Sequence, residues 1–201
     1  MVRLGISVEG RTEVRFVQIV LAPYLLKTEI VVTPIDIRGN VSVDRVAKEL
    51  IRLASNFDFI STFYDFYGFK KKAPDETKDS LESRLVNKIP DALRSRFIPY
   101  IQMYEFEGIL FSSPEVVAQN LQGEGDLVEW ASDILSRFDG NPEAINDSPQ
   151  TAPSKRLEKV TNYQKTTHGP NIAEQLGVDE IRSRCVGFDQ WLKKIECLSL
   201  S

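Results

Sequence analysis

Alternation is the feature that most limits what this chain can fold into. Through residues 1–105, short aliphatic and β-branched runs take turns with segments whose apolar residues recur at helical spacing. Val2–Val8 reads as a buried strand. A turn at Glu9-Gly10-Arg11-Thr12 leads into a helix over Glu13–Lys27, with Thr12 as its cap and Pro23 placed to kink or shorten it. Glu29–Ile37 reads as a second strand, and Val43–Ala54 as a helix. Phe59–Tyr64 is a third strand closing at Asp65, and Asp75–Lys88 a further helix beyond a Lys70–Pro74 loop. Ile98–Tyr104 is a fourth strand closing at Glu105. Strands separated by helices imply crossover connections and a mainly parallel sheet with helices on its faces. From Pro114 onward only helices are expected, over Pro114–Asn120, Asp126–Phe138, Ser154–Asn162, Asn171–Leu176 and Phe188–Ile195. The expected architecture is α/β, with a core over residues 1–112 and a helical lobe over 113–201 packed on it as one structural unit.

Composition decides which chemistry such a fold can carry. The chain has two cysteines, Cys185 and Cys197, and one histidine, His168. A Cys/His zinc cluster and a disulfide framework are thereby excluded, and any metal must be held mainly by oxygen. The formal net charge of −4 argues against a generally basic nucleic-acid coat but leaves room for a local basic surface. The longest apolar stretch, Val14–Leu26, carries Arg15, Gln18 and Pro23, so neither a membrane span nor a signal peptide is expected, and the cytoplasm is the default location.

The acids fall in a pattern. Glu9 follows the first strand and Glu13 opens the next helix; Asp65 closes the third strand, and Glu105 and Glu107 close the fourth. In an open parallel sheet these ends share the edge where ligands bind. Glu105 and Glu107 lie in an otherwise aromatic and aliphatic stretch, Tyr100–Phe111, and Asp65 lies in another, Phe59–Phe69. Charges in such surroundings are usually functional or paired. Carboxylates gathered at one edge repel one another, and Mg²⁺ or Mn²⁺, which take oxygen ligands, would relieve that. The expected metal ligands are therefore Glu9, Glu13, Asp65, Glu105 and Glu107.

At these residues the chain resembles known proteins. Val8-Glu9-Gly10-Arg11-Thr12-Glu13 is similar to the opening signature of Toprim domains. Ordered blocks over nearly the whole length resemble domain-of-unknown-function family 4276. They are Phe63–Phe69, Tyr104–Phe111, Ile145–Asp147, Thr151–Leu157, Tyr163–Lys165, His168-Gly169 and Cys185–Trp191. The resemblance implies a Toprim-like core of the kind found in the overcoming-lysogenisation-defect nucleases, which use carboxylate-bound Mg²⁺ or Mn²⁺ to break phosphodiester bonds. It carries the first-strand acid to Glu9, the second acid of the opening motif to Glu13, and the first acid of an Asp-x-Asp pair to Asp65. The later acid falls on Glu105 or Glu107. Tyr67 stands where the second acid of that pair belongs. The resemblance also implies an ATPase partner of the structural-maintenance-of-chromosomes type and a role in anti-phage defence.

The functional expectation is a metal-dependent nuclease acting on DNA or RNA, with Glu9 and Asp65 at its catalytic centre. Lys155 would neutralise transition-state charge, Arg156 would contact phosphate, and Lys165 and His168 would be secondary substrate contacts. Lys155 and Arg156 read equally as a solvated helix face, Ser154 as a helix cap, and Trp130 and Trp191 as packing. The alternative is a non-catalytic regulatory subunit of an ATPase complex with a degenerate Toprim site, which Tyr67 favours. Primase-like nucleotidyl transfer finds neither a zinc module nor a nucleotide-binding loop here.

Overall fold

The computed structural model describes residues 1–199. Five parallel strands form the sheet: β1 (Val2–Val8), β2 (Ile30–Asp36), β3 (Phe59–Asp65), β4 (Phe97–Ile98) and β5 (Ile101–Gln102). The order is β2-β1-β3-β4, with β5 pairing β3 beyond β4. All strands point the same way, so Val8, Asp36, Asp65 and Gln102 mark one edge. The expected α/β class holds.

The first helix departs from expectation in detail. α1 (Arg11–Phe16) is capped at Gly10, whose N–H donates to the Glu13 carboxylate at 3.0 Å, while Thr12 is buried at the second helical position. The helix does not stop at Pro23. It widens into a π turn over Val17–Leu21 and continues as α2 (Ala22–Leu26), a device that accommodates a residue with no N–H to donate. α3 (Val43–Leu53) and α4 (Lys78–Lys88) cover one face of the sheet, and α4 begins at a Thr77 cap rather than at Asp75. A short α5 (Asp91–Arg94) leads to β4.

The fourth strand is where the expectation fails. Instead of one strand over Ile98–Tyr104, β4 and β5 are interrupted at Pro99-Tyr100. Proline cannot donate to the ladder, and Thr62 fills the gap. Its Oγ1 accepts from the Tyr100 N–H and donates to the Tyr100 carbonyl, each at 2.9 Å. Tyr104 then turns the chain with a left-handed φ of 59°, and Glu105 and Glu107 open a 3-10 helix over Phe106–Ser112 instead of ending a strand.

The remaining elements are α6 (Pro114–Asn120), α7 (Leu127–Ser136), α8 (Pro153–Val160), α9 (Lys165–Arg184) and α10 (Val186–Glu196). α9 is far longer than the expected Asn171–Leu176. Pro170 forgoes one bond without ending it, and the kink falls at Gly177, with φ 71°. Ser154 lies inside α8 and is not its cap.

The second face of the sheet is covered by α1, α9, α10 and the 3-10 helix. Its core runs unbroken from Leu4, Ile6 and Phe63 to Phe188 and Trp191, so side chains from either side of residue 112 share one interior. Trp191 stacks on Tyr100 at 4.7 Å and donates its indole N–H to Ser61 Oγ at 2.9 Å. Among the described residues no helix is long and apolar enough to cross a membrane.

Candidate active site

Five acids and one lysine meet at the carboxyl edge of the sheet. Asp65 ends β3 on the aromatic face, because side chains alternate and Phe63 and Ser61 point the same way. Its Oδ1 accepts from the Phe106 N–H at 2.7 Å, which ties the strand end to the start of the 3-10 helix. Glu107, fully buried on that helix, accepts from the Tyr163 hydroxyl at 3.0 Å. Lys165, the first residue of α9, places its ammonium 3.5 Å from Asp65 Oδ2 and 3.3 Å from Glu107 Oε2. α9 comes this close because residue 169 is glycine: a Cβ there would lie 2.8 Å from the Tyr163 hydroxyl and 3.1 Å from the Phe106 ring.

Glu9 follows β1, half-buried, and its carboxylate rests over Gly68, where any side chain would overlap it. Among the described residues no hydrogen-bond donor reaches that carboxylate. Glu13 is buried, and Glu105, partly exposed, accepts from the Ser154 N–H at 2.9 Å. Tyr67, in the place of the missing acid, packs against Tyr104 at 5.5 Å.

Burial governs the electrostatics. It raises the carboxyl pKa of Glu9, with Glu13 adding to the rise and Lys165 opposing it. Glu13 and Glu107 are raised for the same first reason, and again Lys165 opposes the rise. Asp65 is pushed furthest, well above the usual carboxylate range, by burial and by Glu13, Glu107 and Glu9. Burial disfavours the Lys165 charge, yet Asp65, Glu107, Glu13 and Glu105 outweigh it and hold the ammonium charged. One cation thus stands among several acids that are unfavourable as anions.

The other sequence-predicted residues are placed as follows. Lys155 is exposed, pairs with Glu158 at 2.6 Å, and feels Glu105 and Glu107 at longer range. Arg156 is held by the Asp147 carboxylate at 2.7 Å and the Thr151 carbonyl at 2.6 Å, over the Phe138 ring. His168 stands apart from the buried acids. It lies in the first turn of α9 and accepts from the Gln164 N–H through Nδ1 at 2.9 Å. Two cations absent from the sequence-based set also appear. Arg11 and Arg38 line an open cavity of about 690 Å³ with Glu9 and Asp36, and neither guanidinium has an ion-pair partner among the described residues. Arg11 sits inside the Val8–Glu13 block, which was a signal for it; Arg38 is brought alongside by the left-handed turn at residues 38–40.

The donor set suits a hard cation. It is all oxygen, it carries an excess of acid over base, and one carboxylate has no donor of its own. Among the described residues, no three of these side chains already surround a common point.

Acids collected at the carboxyl edge of a parallel sheet define the chain as an α/β protein with an acidic ligand edge. Residues 8–196 match the family model described as "Domain of unknown function (DUF4276)", and the chain belongs to that family. In fold it is similar to the C-terminal region of the Burkholderia pseudomallei OLD protein, at 15% identity, over 97% of each chain, with a TM-score of 0.55. No curated protein matches the chain.

Proposed function

We propose that the chain is a Mg²⁺- or Mn²⁺-dependent nuclease that hydrolyses phosphodiester bonds in DNA or RNA, a defence effector working with an ATPase. One observation carries the reading: Glu9, Glu13, Asp65 and Glu107 converge with Lys165 on the edge of the sheet where ligands bind. Glu9, Glu13 and Asp65 would hold the ion, with Glu105 and Glu107 flanking it. When bound, such an ion polarises a phosphate oxygen and lowers the pKa of a coordinated water.

The chain's own residues supply the rest. Arg11 and Arg38 beside Glu9 offset the charge of an incoming phosphodiester, which the acids alone would repel. Glu9, which no hydrogen-bond donor among the described residues holds, would orient the attacking water beside the ion. Lys165, held charged by its neighbours, is placed to stabilise the departing alkoxide. The aromatic packing beneath Asp65 keeps bulk water from Asp65 and Glu107, which strengthens their hold on Lys165.

A second reading, a non-catalytic subunit of an ATPase complex, draws on Tyr67 and on the ammonium lodged between Asp65 and Glu107. Incubation of labelled DNA and RNA with the protein in Mg²⁺ or Mn²⁺, with and without the ATPase, separates the two. Cleavage lost in Glu9→Gln supports the nuclease. Cleavage that survives that substitution rejects the site, and absence of cleavage under every condition favours the subunit.

A further inference from the structure

Beside the acid centre lies a groove of opposite character. It runs between α7 and α8, encloses about 250 Å³, and is lined by Trp130, Arg137, Lys155, Arg156 and Lys159, with Asp133 as the one acid among them. Arg137 and Lys159 are exposed and have no ion-pair partner among the described residues. Lys155 pairs with Glu158 in an exposed and therefore weak bridge, whereas Arg156 is held by Asp147, the Thr151 carbonyl and the Phe138 ring. Four cations stand among three acids, Asp133, Glu158 and Asp147, and the unpaired Arg137 and Lys159 leave the groove locally positive in a chain whose net charge is −4, a field that fits an anion.

Trp130 specifies the anion further. The residue is half-buried, its ring meets Phe111 at 5.9 Å, and its indole N–H has no partner among the described residues. A packing tryptophan would be expected to hide that group, as Trp191 does against Ser61. Cations that follow a backbone, combined with an aromatic ring open to the groove, are the two elements of single-strand recognition. Lys155 and Lys159 stand one helical turn apart on one side of α8, about 6 Å along its axis, a step comparable to that between phosphates of an extended strand.

The groove also leads somewhere. Ser154, the residue before Lys155, gives its N–H to Glu105, so the cationic track begins one residue from the acid centre. We infer that the α7–α8 groove receives a single-stranded polynucleotide, with its phosphates on Arg137, Lys155 and Lys159 and a base against Trp130, and delivers it to the carboxylates. As a delivery route this rests on the nuclease reading; as a binding surface it does not.

The test is therefore made first in EDTA, where no cleavage intervenes. Fluorescence anisotropy compares fluorescein-labelled oligo-dT and oligo-U of about 12 nucleotides, within the usual span of single-strand sites, with a duplex of equal length. The double variant Arg137→Glu/Lys159→Glu is expected to weaken oligonucleotide binding at least about tenfold and to flatten its salt dependence by more than one unit of slope. A distant pair, Lys27→Glu/Lys48→Glu, serves as the control for general charge. Trp130→Phe is expected to retain binding, and Trp130→Ala to lose about tenfold. Oligonucleotide should quench tryptophan emission from Trp130, since Trp191 is buried. A preference between dT and U names DNA or RNA as the source of the strand. The assignment is overturned if the groove pair binds like wild type, if the distant pair weakens binding equally, or if duplex binds as tightly as single strand. Groove-dependent binding without cleavage under any condition would sustain the groove and reject the nuclease. Cleavage that needs Glu9 but ignores the groove pair would do the reverse.

Discussion

The two helical layers cover the same strands with different chemistry. Toward α3 and α4, β1 shows only Gly5 and Ser7 in its interior. Gly5 leaves room for the Phe57 ring, which an added Cβ would meet at 2.6 Å, and Ser7 shares a hydrogen bond of 2.6 Å with the Tyr64 hydroxyl. Toward α1, α9 and α10 the same strand presents Leu4, Ile6 and Val8 to an interlocked set of rings, with Phe16, Phe63 and Phe106 within 6.4 Å of one another. The site's buried acids, Glu13, Asp65 and Glu107, all stand at the upper margin of that second layer, and the first layer contributes none of them. The aromatic layer thus does two things: it holds the fold together and it desolvates the groups above it. Strand alternation makes the arrangement unforgiving, because a one-residue slip of β3 would send Asp65 to the wrong layer.

The largest blow to the contrast should come from Trp191→Ala, which removes the stack on Tyr100 and leaves Ser61 without its donor. A loss of about 3–5 kcal/mol is expected by denaturant titration. Next is Lys165→Met, which strips the acids of their cation. Breaking a buried ion pair from one side costs roughly 3–5 kcal/mol, and the partial exposure of Lys165 places this case near the lower end. Here pH gives the sharper test. Asp65, Glu13 and Glu107 have folded pKa values above their unfolded ones, so the folded state binds more protons than the unfolded chain. Their penalty is absent below the ordinary carboxylate range and grows as pH rises through the window up to the raised values. The lysine, raised in turn, contributes stability below its ordinary pKa and loses it only as pH climbs through its folded one. The deficit of Lys165→Met should therefore be larger at pH 8 than at pH 5, and a deficit independent of pH would remove the electrostatic account. The smallest effect is expected of Glu107→Gln without metal. It keeps an acceptor for Tyr163 but removes a buried charge, so melting should rise at pH 8 by about 2–4 °C, the shift that 1 kcal/mol makes in a domain of this size. Near pH 4 the two melting curves should coincide.

Much of the fold was legible because β1, β2 and β3 are regular runs, each separated from the next by a helix, even though β1 stands between β2 and β3 in the sheet. Glu9 and Asp65 could be placed at the ligand edge for that reason. The fourth strand was misread because the largely apolar run Ile98–Tyr104 outweighed the Pro99 inside it, whose missing donor moves the ladder onto the Thr62 side chain. Lys165 was ranked below Lys155 for a different reason. Its partners, Asp65 and Glu107, lie 100 and 58 residues away, and only the approach of α9 through Gly169 makes it the hub of the site. Local composition favours a lysine in a basic run, whereas the tertiary field favours a lysine among acids.

Gly68 gives the acid centre a property of its own. The Glu9 carboxylate rests where a side chain at residue 68 would otherwise be, so its height above the sheet is gauged by an absence of atoms. Because the obstructing group is the free end of a flexible side chain, a methyl there would displace the carboxylate while leaving the surrounding scaffold nearly indifferent. Position and charge at Glu9 are therefore separable quantities: residue 9 sets what the group is, and residue 68 sets where it stands.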